Sequence, residues 1–338
     1  MHKKLVNHCT IDLTLITDGP ILIKSGRQGA DPTKPDMEFV ETYYRGKRSI
    51  YLPGSSLKGA IRSHAERIVR TVGSEQRPPA NSQQLWSSNP LDEQNKNNNP
   101  NFYLKTWKEQ EQKKNPEERH PNPGAEMYKQ SCFISQIFGS TCVASRIRIE
   151  DAYPIDVQQV NIEERNGVAI DRIFGFAKPG ALFNYQVCTS GEFHTKIHLK
   201  NFTLAQLGLI GLVSRDLHEG WFGLGFAKSR GLGTVRVKYN SAVIQYPGCE
   251  VRDKQIYTFA GQQLLSSHTT LLGAGEFLTN NEYGFPKPDR QENTPVAAQA
   301  MDLEFGVQQT WTGEEQVKDL FRRTVKSWSQ LLRGGTAA

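Results

Sequence analysis

The chain has 338 residues, enough to bury a sizeable core as one large domain or two modest ones. Its net charge of +6 and pI of about 9.0 suit a polyanionic partner. No apolar run reaches the roughly 18 residues of a bilayer span, and the five cysteines never form C-x-x-C. A disulfide framework, a zinc ribbon and a membrane anchor are therefore not indicated, and the reading is a soluble, cytoplasmic protein with reduced cysteines.

In chain order, "CTIDLTLITDG" alternates Ile11, Leu13 and Leu15 with polar residues and ends in turn chemistry, which predicts a half-buried first strand. Residues 24–49 carry glycines, prolines and charges and predict a long loop with a short hairpin. Next comes "IYLPGSSLKGAIRSHAERIV", a strand running through Pro53 and Gly54 into a helix whose apolar positions Leu57, Ile61, Ala65, Ile68 and Val72 recur every three or four residues. Lys58, Arg62 and Arg70 mark its other face. A helix start of this kind serves either as a plain N-cap or as an anion site, because its first N–H groups lack intrahelical acceptors.

Residues 74–124 are poor in apolar side chains and rich in charge and proline, and read as a flexible insertion. Order resumes with a short helix, "CFISQIFGS", and the alternating "SRIRIEDAYPIDV". "ALFNYQVCTSGEFHTKIHL" reads as a hairpin turning at Ser190-Gly191; "FTLAQLGLIGLVSRDLHEG" is a second helix and "LGTVRVKY" a last strand. The fold class expected is α+β, with a ferredoxin-like, RRM-like βαββαβ core over residues 1–245. Residues 246–338 read as an extension ending in a helix with the stripe Val317, Leu320, Phe321, Trp328 and Leu331, packed on the main domain or on a neighbouring subunit.

The glycine-dense "GWFGLGFAKSRGLGTVRV" is neither a dinucleotide fingerprint nor a Walker A loop, since a strand follows it and no GK[ST] is present. Its glycines let backbone approach a ligand, and Lys228 and Arg230 supply charge suited to phosphate.

Three segments, "YLPGSSLKGAIR", "IFGSTCVASRIRIEDA" and "GLGFAKSRGLG", occur in this order around the predicted elements. Together they resemble the repeat-associated mysterious protein (RAMP) superfamily of RNA-binding CRISPR subunits, and within it the backbone subunit of type III effector complexes. The resemblance covers residues 10–240. It implies a guide-RNA backbone lying on Ser55, Ser56, Lys58 and Arg62, contacts that hold phosphate without reading sequence. It also implies that residues 160–185 form a thumb hairpin, with Val168, Ile170 and Phe174 pressing on bases. Its further implications are a single-stranded target RNA and other effector subunits in a multi-subunit filament as partners. Subunits of that kind that cut target RNA carry an aspartate in the long first loop. Asp36 stands nearest the family position and Asp31 is the reserve. That role implies Mg2+ or Mn2+ held by Asp36 and RNA oxygens. Two alternatives remain open: the same subunit with a silent loop, and a metal-free guide-RNA-processing ribonuclease using His8, His64, His194 or His198.

Overall fold

The computed structural model describes residues 4–26, 35–79, 84–278 and 280–334. In chain order it builds β1 (His8–Thr17), β2 (Glu41–Tyr44), β3 (Lys47–Ile50), α1 (Gly54–Val72), α2 (Pro100–Lys113), α3 (Pro123–Gln130), α4 (Phe133–Phe138), β4 (Ile147–Ile149) and β5 (Tyr153–Pro154). Then follow β6 (Asn161–Ile170), β7 (Ala177–Ser190), β8 (Glu192–Lys200), α5 (Leu204–His218) and β9 (Val235–Tyr246). The C-terminal part holds β10 (Cys249–Arg252), β11 (Gln255–Thr258), β12 (Leu264–Ser267), β13 (Leu271–Leu272), β14 (Arg290–Gln291), β15 (Gln299–Ala300), β16 (Val307–Thr312) and α6 (Gly313–Gly334).

The heart of the molecule is the antiparallel run β9-β1-β8-β4. With α1 between β1 and β4, and α5 between β8 and β9, this is a βαββαβ unit with spatial strand order 4-1-3-2, the ferredoxin-like arrangement. Alternation in the sequence sets the faces. Ile11, Leu13 and Leu15 of β1, Ile197 and Leu199 of β8 and Val237 of β9 are buried, and they share one core with Leu57 and Ile61 of α1 and Ile210 and Val213 of α5. Each buried leucine or isoleucine contributes about 1.5–3 kcal/mol relative to exposure. The other sheet face carries His8, Thr10, Asp12, His194, Lys196 and His198 in cross-strand register.

One expected pairing is corrected. β7 and β8 do not close a hairpin at Ser190-Gly191: β7 pairs with β6, whereas β8 pairs with β1 and β4. The residues on either side of Gly191 take their ladder partners from different strands, so no hairpin forms there. Instead Thr17 donates its N–H to Gly191 O at 3.1 Å, and Ile21 and Cys188 form an antiparallel bridge, so the chain passes directly from arm to sheet.

Residues 74–124 also hold more than their composition suggests. Asn99 caps α2, its side chain accepting the N–H of Asn101, and Trp86, Tyr103 and Leu104 are buried in the main core. The apolar residues are few, but the helix places them on one side.

The C-terminal segment returns to the same core. β16 extends the main sheet by pairing with β9, and α6 lies along α5 with Val317, Leu320, Phe321 and Trp328 buried. Small residues make the two helices close: a Cβ on Gly208 would sit 2.4 Å from Thr324 O, and one on Gly211 would sit 2.6 Å from the Phe321 ring. The predicted stripe is thus a helix–helix contact within the chain.

Candidate nucleic-acid interface

The start of α1 packs on β4. A Cβ on Gly54 would lie 2.3 Å from Ile149 O, so only glycine allows this approach. Here the structure corrects the simple anion-site picture, because the Gly54 N–H donates to Asp151 Oδ1 at 2.7 Å. A carboxylate from the "EDA" stretch therefore already occupies part of the positive helix end. The next two N–H groups and both hydroxyls, on exposed Ser55 and half-buried Ser56, have no partner among the described residues. Replacing Asp151 by asparagine keeps an acceptor for Gly54 and removes the charge. We expect severalfold tighter binding of single-stranded RNA at low salt, with stability changed by less than about 1 kcal/mol; fluorescence anisotropy and urea unfolding check the two parts.

Lys58 and Arg62 face the "FGSTCVASR" segment rather than open solvent. Lys58 Nζ donates to Ser145 Oγ at 2.9 Å, and its pKa is lowered by burial and then by the neighbouring Arg62 charge. Arg62 donates to Gly139 O at 3.1 Å and to Glu66 at 3.0 Å. Both side chains thus brace α1 against the loop after α4, with donors to spare.

The glycine-rich loop is stitched to the chain leaving β1. Gly233 N–H donates to Pro20 O at 2.8 Å and Phe226 N–H to Leu22 O at 2.7 Å. Lys228 and Arg230 stand exposed on a short turn entered through Ala227 at φ +54°. Phe226 lies between two cations, Lys24 Nζ and the Arg230 guanidinium, each 5.0 Å from its ring centre.

Residues 37–40 run beside residues 23–25 and touch the root of the β6–β7 arm. Val40 N–H donates to Ile23 O at 2.9 Å, and Gln186 N–H to Met37 O at 3.0 Å. Asp36 is exposed at this junction and makes a reciprocal pair with Asn184. Its N–H donates to Asn184 Oδ1 at 2.8 Å, and its Oδ2 accepts the Asn184 N–H at 2.9 Å. Oδ1 has no partner among the described residues. Asp31 lies outside the described residues. The arm itself is exposed, with Val168, Ile170 and Phe174 on its surface and the Phe174 and Phe176 rings stacked 5.8 Å apart.

The candidate histidines are scattered and engaged. His194 and His198 share the open sheet face and pair with Asp12 and Glu150, each at 2.8 Å. His8 lies 5.6 Å from the His198 ring, and its pKa is lowered by burial and then by that neighbour. His64 pairs with Asp216 at 2.7 Å on the opposite side of the sheet, between α1 and α5. No carboxylate–histidine group of three or more is assembled as a metal centre among the described residues.

The profile of the RAMP superfamily matches residues 14–236. The chain belongs to that superfamily. The matched region spans all three segments singled out in the sequence, and the RAMP ferredoxin-like core is the βαββαβ unit described above. RAMP membership makes this a CRISPR-associated, RNA-binding protein. No curated protein matches the chain. None of the described helices is long and apolar enough to cross a membrane.

Sequence reasoning missed the supports. Asp151 was legible only as part of a motif, its role as a cap depending on the antiparallel bridge between Leu52 and Ala152 that brings it to Gly54. Asn184 carried no signal, because it sits in an alternating strand whose partner segment is 148 residues earlier.

Proposed function

We propose that this chain is a guide-RNA-binding backbone subunit of a type III CRISPR ribonucleoprotein and that it cleaves the target RNA paired with the guide. The observation that carries the reading is Asp36. It is an exposed carboxylate, with one oxygen held by the Asn184 N–H and the other open, at the root of a protruding hairpin whose apolar tip suits insertion between bases. Cleavage of this kind forms a bond from a 2′-oxygen to the adjacent phosphorus while the P–O5′ bond breaks, leaving a cyclic phosphate and a 5′-hydroxyl.

The donor set fits a divalent ion only together with RNA: Asp36 is a single carboxylate, and Mg2+ is commonly held by one or two carboxylates plus phosphate oxygens. When bound, Mg2+ or Mn2+ would offset the negative charge that develops on the phosphorane. The chain's own part is to fix the Asp36 carboxylate through the Asn184 backbone and to keep its free oxygen facing outward. Exposed Ser55, Lys228 and Arg230 supply sequence-independent contacts for the guide backbone.

The test uses the assembled complex with guide, labelled complementary RNA and Mg2+. Asp36→Ala is expected to lower cleavage at one or more positions by at least about 100-fold with target binding intact, and EDTA to do the same to the wild type. An unchanged cleavage map would overturn the Asp36 assignment and leave either Asp31 or a purely structural guide-binding subunit, which Asp31→Ala then decides. Cleavage of precursor guide RNA by the isolated chain in EDTA would instead favour histidine chemistry.

A further inference from the structure

Between α1 and the glycine-rich loop runs a cleft of which the contacts above use only Lys228, at its rim. It is lined by Ser63, His64 and Arg67 of α1 and by Trp221, Lys228 and Ser229 of the loop. We propose that it is a subsite for one unpaired RNA nucleotide, with the base against Trp221 and its phosphate between Arg67 and Lys228. The inference rests on the RNA-binding reading and adds a position to it.

Three independent features point to a ligand. The first is the state of the cations. Arg62 and Arg70 of the same helix are paired with Glu66, whereas Arg67, one turn away, is exposed and has no acceptor among the described residues; Lys228 across the cleft has none among them either. The hydroxyls of Ser63 and Ser229 are likewise uncommitted, so the walls offer phosphate four groups without internal partners.

The second is Trp221, 65% exposed at the cleft mouth. Its backbone is fixed by donation to Asp216 O at 2.9 Å, and one ring side meets the Arg215 guanidinium at 5.5 Å. A large ring held in place but left in water is a stacking platform, and it accepts any base because every base has a π-face.

The third is His64. It is 8% exposed, stacked on Phe222 at 4.3 Å, and bonded through Nε2 to Asp216, whose other oxygen takes the Arg215 fork at 2.7 and 2.9 Å. Because the carboxylate accepts, Nε2 carries a proton, and in the neutral ring Nδ1 is then an acceptor. That Nδ1 is buried without a hydrogen bond. A donor brought in between α1 and the loop would remove this deficit.

A base can reach Trp221 only when it is unpaired, so the subsite selects single strands. The test measures binding of a labelled, unstructured 20-nucleotide RNA and of its duplex by the full chain, using fluorescence anisotropy across a salt series. Trp221→Ala is expected to weaken single-strand binding about tenfold without changing the salt slope, and to leave duplex binding unaltered. Trp221→Phe should stay within about twofold, because the platform is retained. Arg67→Ala should weaken binding and lower the salt slope by about one. Photo-crosslinking of 5-iodouridine RNA should mark the peptide that contains Trp221. Wild-type RNA binding with Trp221→Ala equal to it, and crosslinks elsewhere, would overturn the subsite and leave the RNA-binding reading standing. A wild-type chain that binds neither RNA would remove both.

Discussion

Gly54→Ala will destabilise the protein by about 3 kcal/mol or more, and Gly59→Ala, five residues further along the same helix, will stabilise it by about 0.5–1 kcal/mol. The opposite signs follow from what each new methyl group meets. At Gly54 it would sit 2.3 Å from Ile149 O and 3.0 Å from Glu150 C, both backbone atoms of a strand segment pinned in the sheet. Relief requires moving α1 off β4, which breaks the Gly54 N–H bond to Asp151 and opens the core around Leu57. At Gly59 nothing lies within 4 Å, so alanine gains only its higher helix propensity. Urea unfolding of the two variants beside the wild type checks both signs. Equal effects would mean that the close approach of α1 to β4 does not hold in solution.

That pair also separates stability from binding. Gly54 stands at the helix end that carries Ser55 and Ser56, so any movement of α1 shifts those donors, whereas Gly59 leaves them in place. Gly59→Ala should therefore bind RNA like the wild type.

The central fold was legible because local period and global layers agree. Ile11, Leu13 and Leu15 alternate, Leu57, Ile61 and Ala65 recur at helical spacing, and both sets enter one core. Long-range pairing was not. Apolar residues on both sides of Ser190-Gly191, from Val187 to Phe193, looked like two arms of a hairpin, and only the preceding β6 decides that the first arm pairs outward. The two helices that meet through Gly208 and Gly211 could be recognised as apolar stripes, but not matched to each other. The site divides in the same way. Lys228 and Arg230 were readable from composition, and Asp36 from resemblance. The Asp151 cap, the Asn184 clamp and the Trp221 cleft arise from residues distant in sequence, which no local spacing reports.

Gly225→Ala is expected to damage both loop and function, and Gly231→Ala, in the same loop, to test why. Both glycines have φ near +80°, a conformation that costs an alanine about 1–2 kcal/mol. They differ in surroundings: a Cβ at Gly225 would lie 2.1 Å from Leu22 O, whereas one at Gly231 meets nothing within 4 Å. Leu22 O is also the acceptor for Phe226 N–H, so the loop cannot yield there without losing the bond that seats Phe226. Phe226 in turn lies between Lys24 and Arg230, and its displacement carries the cationic turn away from the rest of the surface. Gly231→Ala should therefore lose about 1–2 kcal/mol of stability and keep most of its RNA affinity. Gly225→Ala should lose more stability and bind single-stranded RNA about tenfold more weakly, as expected when two phosphate contacts are misplaced. If both variants bound RNA equally well, the loop's charges would not lie on the RNA path, and the interface would have to be sought at the start of α1 and along the β6–β7 arm.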